Sequence, residues 1–117
     1  HMDSNATIFH IALDADIDNY RETGVYRCAS LDSEGFIHCC DRHQLRDVTA
    51  RYYQNVDKVQ LILLDPDKLV VPLIRENTVG GSELFPHIYG SIKSAAVTSI
   101  VPFGLTSQER LGLTDNL

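Results

Sequence analysis

Short apolar runs alternate with polar punctuation along the whole chain, and the runs carry two different periods. Residues 7–12 (Thr-Ile-Phe-His-Ile-Ala) read as a mostly apolar strand behind a short polar arm. Asp14 or Asp16 then caps a short helix through Ile17, Tyr20 and Arg21, which Gly24 ends as a C-terminal cap. Residues 25–28 read as a second strand, 29–35 as a polar loop and 36–40 as a third strand. Asp41 stands as the N-cap of the clearest helix, in which Leu45, Val48, Ala50 and Tyr52 recur at helical spacing up to about Gln54.

The segment Val59-Gln60-Leu61-Ile62-Leu63-Leu64 is almost continuously apolar and is closed by Asp65-Pro66-Asp67, the pattern of a central strand buried on both faces. Residues 69–74 give another strand, which Pro72 places at an edge or at an irregular point. The Gly80-Gly81 stretch at 77–82 is a loop leading into Phe85-Pro86-His87, and 95–103 form a last strand ended by Pro102 and Gly104. A helical turn is expected around Gln108, Glu109 and Arg110. Strands and helices do not alternate regularly enough for a doubly wound sheet. The pattern therefore predicts one α+β domain over residues 7–104, with terminal arms at 1–6 and 105–117.

Composition narrows the function classes. A chain of 117 residues, 44% hydrophobic and 22% charged, has the make-up of one soluble globular domain. No apolar run reaches the roughly 20 residues of a membrane span and no signal-peptide pattern is present, so no membrane partner is expected and the cytoplasm is the expected compartment. His1 before Met2 reads as the remnant of an expression tag and is excluded from the site. An odd set of three cysteines, two of them adjacent at Cys39 and Cys40, points to reduced thiols. A net charge of -6 argues against nucleic acid as a partner, whose backbone demands clustered cations. A small-molecule nucleotide needs only one or two, and Arg27, Arg51 and Arg75 are available.

Candidate chemistry centres on histidine. In Gly35-Phe36-Ile37-His38-Cys39-Cys40, strand alternation puts His38 and Cys40 on one face and Ile37 and Cys39 on the other. With His10 and His87, three imidazoles lie in apolar runs. One such histidine is more often a satisfied core residue than a ligand, whereas three suggest a built site. A zinc site from His38, Cys40 and His43 lacks Cys-x-x-Cys spacing, and a Cys40–His38 nucleophile pair suffers because side chains two apart on a strand run parallel. The cysteines fit small buried hydrophobes.

Phe9-His10-Ile11, Tyr26-Arg27-Cys28-Ala29-Ser30-Leu31, Gly35-Phe36-Ile37-His38-Cys39-Cys40 and Glu83-Leu84-Phe85-Pro86-His87-Ile88-Tyr89-Gly90 together resemble the small bacterial family DUF952, over about residues 7–103. The serine that usually follows His-Cys in that family is Cys40 here. Its members resemble the ADP-ribosyltransferase fold, a split antiparallel sheet, here with two main helices, that holds NAD in the cleft between its halves. The resemblance implies that His10 anchors the adenosine-side ribose, that His38 lies beside the nicotinamide, and that Arg27 or Arg51 meets the pyrophosphate. It also implies Glu83 as the carboxylate that stabilises the oxocarbenium-like transition state while ADP-ribose passes to an unknown acceptor. Glu83 stands in a Gly-Gly-Ser-Glu loop, so His87 and Tyr89 are alternative occupants of that third position. Three readings follow: an NAD-dependent ADP-ribosyltransferase, a non-catalytic nucleotide or small-molecule binding module on the same fold, and a thiol or metal protein using His38 and Cys40.

Overall fold

The computed structural model describes residues 6–106. Its elements follow in the order β1 (Ile8–Ala12), α1 (Asp14–Thr23), β2 (Val25–Tyr26), α2 (Ala29–Ser33), β3 (Ile37–His38), β4 (Cys40–Asp41), α3 (Leu45–Tyr52), β5 (Lys58–Leu64), β6 (Leu73–Glu76), β7 (Phe85–Ile88), β8 (Ile92–Lys93) and β9 (Val97–Gly104). Every pairing is antiparallel: a four-stranded sheet β4-β1-β5-β9, a three-stranded sheet β3-β7-β6 and the pair β2-β8. The fold is α+β. Among the described residues no helix is long and apolar enough to cross a membrane.

Residues of β5 explain the layering. Val59 and Leu61 point into one apolar cluster with Phe9, Cys40, Leu45 and Leu105, against which Val48 of α3 packs. Ile62 and Leu64 point to the opposite face, into a second cluster with Ile8, Ile17, Tyr26, Ile37, Ile88 and Ile92. A strand covered on both sides reads as an unbroken apolar run, which is why β5 was legible as central. Leu105, placed by sequence in a terminal arm, is buried in the first cluster and its N–H bonds the Asp57 carbonyl at 2.7 Å.

Local chemistry sets the helix ends. Gly24, at φ 76°, caps α1 through its N–H to the Tyr20 carbonyl at 2.7 Å. The N-cap is Leu13, which has no side-chain cap to offer, so Asp14 and Asp16 sit inside the first turn, where their charge meets the positive end of the helix. Asp41 does form a capping box, with the Gln44 Oε1 accepting the Asp41 N–H at 2.8 Å, but it caps a 3-10 turn (Arg42–Gln44) that then runs into α3. Leu45 and Thr49 are the buried positions of α3, while Ala50 and Tyr52 face solvent. Residues 29–33, expected as loop, wind into α2. The strand expected from residue 69 begins only at Leu73, just after Pro72, at the sheet edge. The turn expected around Gln108 lies outside the described residues.

The decisive departure from the sequence pattern is the single strand expected at 36–40, which the structure divides between two sheets. Ile37 and His38 pair with Ile88 and His87, whereas Cys40 and Asp41 pair with Phe9 and Ile8. Pro86 accounts for the break. The Cys39 N–H donates to the Pro86 carbonyl at 3.1 Å, but proline has no N–H to return to Cys39, so the ladder to β7 ends there. Antiparallel neighbours alternate between facing the partner strand and turning away from it, so His38, one residue before Cys39, directs its carbonyl away from β7. The imidazole of His10 fills that gap, its Nδ1–H donating to the His38 carbonyl at 2.6 Å.

On the other side of the ring, His10 Nε2 accepts the Tyr26 hydroxyl at 2.6 Å. A carbonyl can only accept, so the proton sits on Nδ1 and the ring is neutral in this arrangement. Burial lowers the His10 pKa to about 4, the His38 carbonyl opposing that shift in part. Unfolded, the ring takes a proton near pH 6.5, so between about pH 6.5 and 4 the unfolded chain binds more protons and stability falls as pH falls. The expected loss is on the order of 3 kcal/mol across that window. Denaturant unfolding at several pH values should show this slope in the wild type and not in His10→Gln; equal slopes would refute the neutral brace.

Gly90 follows β7 in close contact with the chain ahead of β6. A Cβ added there would lie 2.6 Å from Val71 Cγ1 and 2.9 Å from Val71 Cβ. Gly90→Ala is expected to destabilise by about 1–3 kcal/mol through overpacking. Val71→Ala in the same chain should restore part of that loss in thermal or denaturant unfolding, and no recovery would place the strain elsewhere.

Candidate functional site

The split leaves a cleft of about 710 Å³, lined from β1, the β3–β4 corner, α3, the start of β5 and β7. Its volume lies in the range of ordinary small-molecule sites. Phe9, Ala12, Val48, Val59 and Phe85 give it apolar walls, and His10, Tyr26, His38 and His87 are among the polar side chains that line it.

These groups are not equivalent. His10 and Tyr26 are buried and bonded to each other, their rings edge to face at 5.1 Å. Both nitrogens of His10 are engaged within the protein, so it can bond a ligand only by giving up the His38 carbonyl or Tyr26. Desolvation pushes the Tyr26 phenol up, so it stays a neutral donor to His10.

His38 and His87 each spend one nitrogen on a carboxylate. His38 Nε2 lies 3.1 Å from both oxygens of Glu34, and the side chain of His38 is 46% exposed. His87, 3% exposed, has its Nδ1 2.8 Å from Glu76 Oε2, which also accepts the Tyr89 hydroxyl. The Tyr89 hydroxyl, and after it the His87 ring, hold Glu76 below the usual carboxylate range, while the same bond raises the Tyr89 phenol. Phe36 ties the set together, stacked on His87 at 4.1 Å and 15° and edge to face with His38 at 4.7 Å.

The other residues singled out by sequence lie apart. Glu83 is outside the cleft lining; its carboxylate accepts from Gln44 Nε2 at 3.0 Å beside a small hollow shared with Arg51 of α3. Arg27 is exposed and paired with Asp32 at 2.9 Å, and Arg75 pairs with Asp41. Tyr89 is outside the cleft lining and reaches the site through its bond to Glu76 and a tilted ring contact with Phe36 at 5.3 Å. Among the described residues the lining carries Lys58 as its cation, against Asp14 and Asp16.

Cys39 and Cys40 are buried. Burial raises the Cys39 thiol and pushes Cys40 up to about 12, with Asp41 adding to the latter, so neither is a ready thiolate. Among the described residues no group of three His, Cys, Asp or Glu side chains is placed to hold a metal ion. Sequence reasoning missed Glu34 and Glu76, the partners that orient the histidines, and gave no role to Phe36 or Tyr26. Glu76 becomes visible once β6 is set beside β7, where Ile74 opposes His87 and Glu76 opposes Phe85. Glu34 stands in the turn after α2, where no periodicity identifies it.

No curated protein matches the chain. Among solved structures, the X-ray crystal structure of protein CC0527 from Caulobacter crescentus is 24% identical, with a TM-score of 0.76, over 87% of this chain and 90% of that one. The solution NMR structure of CC0527 from the same organism is 25% identical, with a TM-score of 0.76, over 95% and 96% of the two chains. The family described as a protein of unknown function, DUF952, matches residues 11–100, a span holding β2 to β8, two of the three cleft histidines and both carboxylates that hold them. The chain belongs to the DUF952 family.

Proposed function

We propose that this protein is a binding module for NAD or a related nucleotide, on a split sheet like that of the ADP-ribosyltransferases, and that it does not carry out glutamate-dependent transfer of ADP-ribose. The observation that carries this reading is the cleft at the strand split, apolar along its walls and faced by His38 and His87. Apolar walls suit a flat heteroaromatic base, and a few polar groups at fixed positions suit the sugar attached to it. Transfer would require a carboxylate held against the ribose as positive charge develops at its anomeric carbon. Glu83, the residue the family resemblance offers for that role, is held by Gln44 outside the cleft. The arginines expected at a pyrophosphate are also outside, which favours a ligand whose base enters first and whose phosphates stay towards solvent.

Titration of NAD by calorimetry or ligand-observed NMR is expected to show binding that weakens about tenfold or more in His38→Ala and in Ala29→Trp, both at exposed positions of the cleft wall. Nicotinamide release from bound NAD is expected to be absent. No binding at millimolar NAD would remove the nucleotide reading, and nicotinamide release abolished by Glu83→Gln would restore the transferase.

A further inference from the structure

His38 and His87 stand directly opposite each other on β3 and β7, one residue away from the hydrogen-bonded Cys39–Pro86 position. They therefore form the close, non-hydrogen-bonded kind of antiparallel pair, in which side chains approach most nearly. Their rings meet edge to face at 5.2 Å, and both line the cleft. Neither Glu34 nor Glu76 lines it, so each carboxylate holds its histidine from behind.

A carboxylate only accepts, so each fixes where its neighbour's proton lies. Glu76 keeps the proton of His87 on Nδ1, and Glu34 keeps that of His38 on Nε2. The nitrogens left over are His87 Nε2 and His38 Nδ1. No fully buried side-chain nitrogen or oxygen among the described residues lacks a partner, so His87 Nε2, with no bond of its own, opens on the cleft that the ring lines. In the neutral imidazole both are acceptors, with lone pairs in the ring plane. Phe36 packs against both rings, stacked on His87 and edge to face with His38.

Two neighbouring acceptors call for two neighbouring donors on the ligand. The surrounding charge decides what kind. An anion would meet the glutamates behind the rings and Asp14 and Asp16 in the lining, with Lys58 as the opposing cation. Uncharged hydroxyls meet no such penalty.

We infer that His38 and His87 form a paired acceptor that reads a vicinal diol of the kind a ribose carries, with Glu34, Glu76 and Tyr89 as positioning residues. This rests on the nucleotide reading of the same cleft, and it places the sugar at His38 and His87 and not at His10, whose nitrogens are both spent inside the protein.

The test compares adenosine with its 2′,3′-dideoxy analogue, which lacks the vicinal pair of hydroxyls and keeps the 5′ one, by ligand-observed NMR, with NAD as reference and inorganic phosphate as competitor. Adenosine is expected to bind about tenfold or more tightly than the analogue, the worth of two hydrogen bonds, and phosphate is not expected to displace it. His38→Ala should erase the preference. Tyr89→Phe should reduce it while leaving the analogue's affinity unchanged; a merely structural effect would weaken both nucleosides alike. His87→Phe keeps a ring against Phe36 and should also erase the preference. Should that buried substitution fail to fold, His38→Ala still decides the matter. Equal affinity for the two nucleosides, in a protein that binds NAD, overturns the diol pair and leaves the nucleotide cleft standing. Displacement by phosphate overturns it in favour of an anion site. Failure of NAD and adenosine alike overturns both readings.

Discussion

One missing hydrogen governs this structure. Because Pro86 has no N–H, β7 cannot keep Cys39 in its ladder, and the chain passes to β1 in a single step. Strand alternation turns the His38 oxygen away from β7 as well, and a backbone carbonyl left without a partner in a protein interior costs about as much as a lost hydrogen bond, so something from outside that sheet must meet it. A side chain from β1 does so, and it must be a donor that stays uncharged away from water. Histidine in its neutral form satisfies both conditions, provided its second nitrogen is also served, and Tyr26 serves it. Carbonyl, imidazole and phenol thus form one connected hydrogen-bonded chain at the point where the strand changes sheets, and the cleft is the space that opens beside it.

The same residue type does two jobs a few ångströms apart, and the number of protein partners separates them. His10 has a partner on each nitrogen and acts as an internal strut. His38 and His87 have a carboxylate on one nitrogen and keep the other in reserve. The distinction survives the difference in burial between the last two: His87 is as enclosed as His10, yet only His10 is closed off chemically. Counting satisfied valences separates the three histidines where counting exposed area does not. The cysteines illustrate the converse, since two thiols at the β3–β4 corner are disarmed by burial despite standing beside an imidazole.

Much of the scaffold was legible in the sequence because it follows from hydrophobic period alone. The double-sided run of β5, the Gly24 stop of α1 and the Asp41 start ahead of α3 each express a local rule that tertiary packing did not override. The three imidazoles were legible as a group, being polar residues in apolar runs. What could not be read was anything set by pairing across the chain. The division of residues 36–40 between two sheets depends on Pro86, nearly fifty positions away, and proline in a central strand leaves no trace in the alternation of the strand it interrupts. Glu34 and Glu76 are ordinary surface-type residues until registration brings them to the histidines, and Glu83, which the family resemblance put forward, is held by Gln44 outside the cleft lining. Even two single glycines differ in kind: Gly24 answers a backbone demand, whereas Gly90 answers the proximity of Val71, which only the assembled fold supplies.

The connection from β6 to β7 has a different significance. Asn77 bonds the Glu83 carbonyl and the Val79 N–H, while the buried Gln44 holds the Glu83 carboxylate and the Leu84 carbonyl, so both ends are moored to the body of the domain. Between the moorings Gly80 and Gly81 adopt left-handed conformations with nothing crowding them but the Asn77 amide, and Thr78 and Val79 touch the cleft. The tip is in effect a cassette. A change in its length or sequence would reshape the rim of the cleft while the strand split, the strut and the two cores stayed as they are, so the shape of the rim is separable from the fold.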